Sequence, residues 1–201
     1  MDEPYNRRPA RPGRSRILDT TIATFRAALQ RFPDSSDEAT SPATFLAFLD
    51  SSREVFHRDH PPGHFTGSAW LVSGDGRRVL LTHHRKLGRW LQLGGHADGD
   101  SDLARVALRE AGEESGLGDL AVEPAIFDLD RHWIPARGED PGHWHYDVRY
   151  VVRATGSEDF VVSPESLALA WRPIADLLDD PGTDVSLRRM ARQWWQRLAL
   201  V

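Results

Sequence analysis

Apolar positions between residues 15 and 32 recur at steps of three, four and five: Ile17, Ile22, Phe25, Leu29 and Phe32. That spacing keeps one face of a helix apolar and predicts an amphipathic helix. Pro33 ends it, because proline cannot continue the helical ladder. Pro42 suits the first turn of a second helix carrying Phe45, Leu46, Phe48 and Leu49. From Phe65 the pattern changes. HFTGSAWLVS predicts a strand, the GDG at Gly74–Gly76 a hairpin turn, and RRVLLTHH its partner. Arg89 to Leu93 predicts a further short strand. Leu120 to Leu129 and His143 to Arg153 predict two more, and Ala154 to Val162 another. Helices are predicted over 173–180 and 184–199, the last with Leu187, Met190, Trp194 and Leu198 on one side. Helices, then mixed strands with a helix among them, then helices again predict an α/β/α sandwich around a mixed sheet, with a helical extension in front.

This divides the chain into a tail over 1–14, a helical extension over 15–60 and a main domain over 61–201. The tail, MDEPYNRRPARPGR, holds little that can pack and is expected to be disordered. Its basic side chains make it a candidate contact for an anionic partner. The extension is expected to pack on the main domain, with a cap over substrate as the rival role.

Between Gly94 and Leu117 the polar positions become informative. A helix is predicted to begin near Asp102, capped by Asp100 or Ser101. Its apolar stripe is Ala104, Ala107, Leu108 and Ala111. Glu110, Glu113 and Glu114 stand at i, i+3 and i+4, so their carboxylates share one arc beside Arg109. Like charges so spaced repel, and the helix C-terminus disfavours anions. A hard divalent cation reverses the sign of both effects, and oxygen ligands suit Mg²⁺ or Mn²⁺. The glycines at 94 and 95 permit a tight turn that brings a main-chain carbonyl toward the same ion. A solvated acidic face is the plain alternative.

Composition narrows the classes. A formal net charge of −5 argues against a nucleic-acid surface. The absence of cysteine excludes disulfides, thiolate metal sites and cysteine nucleophiles, and fits a cytoplasmic protein. No stretch has the roughly 18 apolar residues that a membrane helix needs. No membrane partner is expected, and a homodimer is compatible with the composition.

The stretch from Gly95 to Leu117 resembles the Nudix box, G-x5-E-x7-R-E-U-x-E-E-x-G-U, where U is apolar. Gly95, Arg109, Glu110, Ala111, Glu113, Glu114, Gly116 and Leu117 fall in register. Ser101 stands where the box has its first glutamate, and the glycine loop is one residue short, with Asp98, Asp100 and Asp102 as substitutes for that acid. The resemblance implies a Nudix fold and a divalent-metal-dependent hydrolase of a diphosphate linkage, commonly in a nucleoside diphosphate derivative. It implies Glu113 and Glu114 as ligands of Mg²⁺ or Mn²⁺, Glu110 as a further ligand or as the base for water, the Gly94 carbonyl as another ligand, and Arg109 as the group that orients a glutamate. A Nudix-fold binding or regulatory module without hydrolysis is the rival.

A second polar pattern lies in HWHYDVRY. On a strand, His143, His145, Asp147 and Arg149 take one face, and Trp144, Tyr146, Val148 and Tyr150 the other. The polar face is a candidate lining for a phosphate pocket, with Asp147 near metal and Arg149 and His145 on substrate. A sheet surface covered by a loop is its plain counterpart. His96 in the glycine loop is a candidate for phosphate or metal, and His83 and His84 lie near it in sequence. Trp90, Trp133 and Trp144 are candidates to stack on a base.

Overall fold

The computed structural model describes residues 14–164 and 166–200, with side chains from Asp19 onward. The tail expected over 1–14 lies outside the described residues except for Arg14, which opens helix α1 (Arg14–Arg31). Helix α2 is Pro42–Ser51. Seven strands follow among the described residues: β1 (Gly63–Val72), β2 (Arg78–His84), β3 (Arg89–Leu91), β4 (Leu93–His96), β5 (Leu120–Ile134), β6 (His143–Ala154) and β7 (Ser166–Pro173). Helix α3 (Leu103–Ser115) lies between β4 and β5, and α4 (Ile174–Leu177) and α5 (Val185–Leu198) close the chain.

The sheet is mixed, in the order β3-β2-β1-β6-β5, with β4 beside β1 and β7 beside β2. Strands β1 and β6 run parallel over ten residue pairs, and the other pairings are antiparallel. The predicted strand over Arg89 to Leu93 divides at Gln92. Its first half pairs with β2 and its second with β1.

Alternation along the strands sends side chains into two separate cores. On one face Phe65, Ala69, Leu71, Tyr146, Val148 and Tyr150 meet helices α1, α2 and α3. On the other, Trp70, Val72, Val79, Leu81 and Val151 meet Ile174, Leu177, Leu187, Met190 and Trp194 of α4 and α5. The α/β/α sandwich read from the pattern is therefore the one that forms. The N-terminal helices belong to the first core. Phe25, Leu29, Phe45 and Phe48 are buried there, and Phe48 stacks on Tyr146 of β6 at 3.7 Å between ring centroids.

Two stretches differ from the pattern. Residues 155–162 form a loop, because their polar groups bond to other loops instead of a ladder: the Thr155 amide donates to the Asp119 carbonyl, and Glu158 accepts from the Gly74 amide. The strand lies later, at β7, where the sequence reading assigns nothing. Strand β5 also runs five residues beyond Leu129, and its continuation supplies part of the polar face described next.

Candidate active site

Helix α3 is capped by Asp102, whose side chain accepts from the Arg105 amide. Asp100 holds the same turn from outside, accepting from the Asp102 amide at 2.9 Å and from the Arg105 guanidinium at 2.6 and 2.8 Å. Asp98 instead binds Arg58 at 2.6 and 2.7 Å, and that guanidinium holds its carboxyl below the usual carboxylate range. The three aspartates in the shortened loop thus divide the labour: two start the helix and one fastens the loop to the segment after α2. Ser101 is buried. The helix ends on Gly116 in the left-handed conformation, its amide returning to the Gly112 carbonyl.

Leu103, Val106, Ala107 and Ala111 are buried, so the core stripe includes Leu103 and Val106, and Ala104 and Leu108 sit at its margin. The glutamates take the remaining arc. Glu110 is directed at β4: a Cβ added at Gly95 would fall 2.5 Å from its carboxyl carbon. The Arg109 guanidinium donates to Glu110 at 2.6 Å and to the His96 carbonyl at 3.1 Å, and approaches Glu113 at 4.0 Å. Glu113 is 65% exposed. Arg109 therefore ties one glutamate to the glycine turn and leaves another facing solvent.

The face of the sheet opposite α3 carries a second polar group. Register places His64 beside His145, Thr66 beside Asp147 and His96, and Asp128 and Asp130 beside Arg149 and Asp147. Asp147 is buried and accepts from Thr66 at 2.9 Å, Ser68 at 2.7 Å, Arg149 at 2.7 Å and Gln92 at 3.3 Å. Arg149 is buried as well and also meets Asp128 at 3.0 Å and Asp130 at 3.6 Å. Burial opposes its charge, but the three carboxylates outweigh that and raise its pKa. From α5, Arg189 joins Asp128 at 2.7 Å and Asp130 at 2.8 Å. Burial tends to raise the Asp130 pKa, yet His132 and the two arginines leave it well below normal.

Farther along this face lie imidazoles. Ligand nitrogens of His64, His96 and His145 lie within 4.8 Å of one another. Burial, then the neighbouring histidines, push His64 down to about 3 and His145 down to about 2, so both are neutral near pH 7. His143 and His132 adjoin His145, at 5.1 and 5.5 Å between ring centroids.

Of the residues singled out in the sequence, Arg109, Glu110, Glu113 and Glu114 share α3, with Gly94 and His96 on the adjoining β4. His145, Asp147 and Arg149 share the opposite face with the His96 side chain. His83 stacks on Trp90 at 5.2 Å, away from the imidazole group. Trp133 and Trp144 meet edge to face at 5.2 Å, and Trp133 is 50% exposed. Sequence reasoning passed over His64, Thr66 and Ser68, and Asp128, Asp130 and Arg189. For the first five the signal was present as strand alternation in HFTGS and FDLDRHW. Arg189 carries no such signal, because only the packing of α5 brings it to β5.

These elements are the class of fold in which a glycine turn and an acidic helix meet at the edge of a mixed sheet. The family model described as the NUDIX domain matches residues 64–193, and the chain belongs to that family. A Mycobacterium tuberculosis protein named "Putative 8-oxo-dGTP diphosphatase 3" is 32% identical over 134 residues, covering 62% of this chain and 55% of that protein. The chain thus spans about half the length of the curated relatives it matches. The C. elegans Ap4A hydrolase, solved as a binary complex, superposes with a TM-score of 0.54 at 17% identity, over 68% of this chain and 98% of that one, a likeness of fold. Among the described residues no helix is long and apolar enough to cross a membrane.

Proposed function

We propose that the chain is a divalent-metal-dependent hydrolase of a diphosphate linkage in a nucleotide derivative. The observation that carries this reading is the docking of Glu110 against Gly95, with Arg109 bridging that carboxylate to the His96 carbonyl. The donor set fits Mg²⁺ or Mn²⁺: carboxylates at 110, 113 and 114 and the Gly94 carbonyl are all hard oxygen ligands. A bound ion would neutralise phosphate charge and make coordinated water more acidic. Glu110, Glu113 and Glu114 would hold the ion, and one of them would accept the proton of the attacking water. Arg109 fixes Glu110 in direction, which limits the arrangements to be searched before reaction. Water adds to one phosphorus, the bridging P–O bond breaks, and the leaving phosphate keeps the bridging oxygen.

The polar face of the sheet supplies the substrate side. The imidazoles of His96 and His145 are placed on the phosphate side, and Trp133 offers an exposed ring for a base. Asp147 and Arg149 hold each other and are read as the frame of this face, not as direct ligands. The 32% identical relative puts oxidised purine nucleoside triphosphates first among substrates to try, with dinucleoside polyphosphates, ADP-ribose, NADH, nucleotide sugars and coenzyme A after them.

The test is phosphate or pyrophosphate release from that panel with Mg²⁺ or Mn²⁺ at mildly alkaline pH. Glu113→Gln is expected to abolish metal-dependent turnover while leaving the fold intact, because the side chain is largely in solvent. Full activity in that variant would overturn the assignment of the acidic face. Silence across the panel, with metal binding retained, would favour a binding module.

A further inference from the structure

We propose that His64, His96 and His145 form a site for one borderline transition-metal ion, of the Zn²⁺ class, separate from the carboxylates of α3. The three come from neighbouring strands, β1, β4 and β6, and register brings their side chains to one face. Their ligand nitrogens already lie within 4.8 Å of one another. Around a tetrahedral ion with bonds of about 2.0–2.1 Å, nitrogens stand roughly 3.4 Å apart. Rotation of the partly exposed His96 and His145 rings spans the difference.

The second observation is His64 itself. It is 1% exposed, and neither of its ring nitrogens has a hydrogen-bond partner among the described residues. A buried histidine placed only for packing ordinarily has at least one nitrogen satisfied. This one presents its ring to His96 and His145 at 5.0 and 4.8 Å between centroids. His143 extends the group. Its Nδ1 donates to the Pro141 carbonyl at 2.9 Å, the backbone anchor that a ligating histidine commonly has, and its Nε2 lies 3.2 Å from that of His145.

Imidazole donors select Zn²⁺, Co²⁺, Ni²⁺ or Cu²⁺ over Mg²⁺, which prefers oxygen. The carboxylates of α3 have the opposite preference, so the two sites are chemically distinguishable. Three protein ligands leave one position for water or a phosphate oxygen. The inference does not depend on hydrolysis.

The experiment uses untagged, chelator-treated protein in excess Mg²⁺. Zn²⁺ is titrated against a chromogenic chelator, and Co²⁺ is added to a parallel sample for its visible spectrum. One equivalent of Zn²⁺ is expected, with a tetrahedral or five-coordinate Co²⁺ spectrum. His64→Phe and His96→Ala should each weaken Zn²⁺ at least tenfold, and Glu113→Gln should leave it unchanged. Circular dichroism checks the fold. If His64→Phe fails to fold, the partly exposed His96→Ala carries the comparison. No stoichiometric Zn²⁺ binding, wild-type binding in the histidine variants, or an equal loss in Glu113→Gln would each overturn the proposal.

Discussion

Gly95 has no room for a side chain. Its missing Cβ leaves the space that the Glu110 carboxylate occupies, and any methyl group there must displace that carboxylate. Displacements of about 1 Å at a reacting centre can cost on the order of 100-fold in rate. Gly95→Ala is therefore expected to lower metal-dependent turnover by roughly that factor. Thermal unfolding should move little, since Glu110 can turn toward solvent. Steady-state kinetics beside a melting curve would check this, and unchanged turnover would mean that the Gly95–Glu110 contact is incidental. Arg109 acts at the same scale, through its bonds to Glu110 and to the His96 carbonyl.

Helix α3 depends as an element on how it starts. Its glutamates gather toward the C-terminal end, where the dipole disfavours them, so the N-terminal cap matters more than in a helix of balanced charge. Asp102→Ala removes the side-chain acceptor for the Arg105 amide and should cost about 1 kcal/mol. Urea unfolding would measure it, and a change near zero would mean that Asp100 alone caps the helix. The surface pair Arg58–Asp98 differs, because both side chains are about half exposed and pairs of that kind contribute little. What that pair does is fasten the box loop to the chain after α2. The Gly99 amide strengthens the same link by donating to the Phe56 carbonyl at 2.9 Å.

Across the whole molecule, Arg149 and Arg189 join strands β5 and β6 to helix α5 through Asp128, Asp130 and Asp147. Removing one partner of a buried charge network leaves the others uncompensated, at a cost of about 3–5 kcal/mol. Arg149→Met is expected to lose stability in that range, and a loss below about 1 kcal/mol would mean that the carboxylates find other partners or take up protons. Acid should act on the same network. The folded-state pKa of Asp130 is depressed, so its contribution is full above the unfolded value of about 3.9 and is lost as pH falls below it. Denaturant unfolding at a series of pH values should show a steeper acid loss in the wild type than in Asp130→Asn. Equal slopes would remove Asp130 from the explanation.

The chain's own order determined most of the elements and the spacing of the carboxylates on α3, while the loop over 155–162 and strand β7 were not legible in it. Period 3.6 placed Phe25, Leu29, Leu187, Met190 and Trp194 inside, and period 2 separated Asp147 and Arg149 from Tyr146 and Val148. The box glutamates were legible because a helix fixes their spacing locally. Only tertiary structure decided which strands lie side by side. His64 and His145 are 81 positions apart and meet because β1 and β6 run parallel in one register. Arg189 reaches Asp128 because α5 packs across that face. A local pattern determines which way a side chain points, but the partner it finds there depends on strand order and register, which are set by the burial of both faces together.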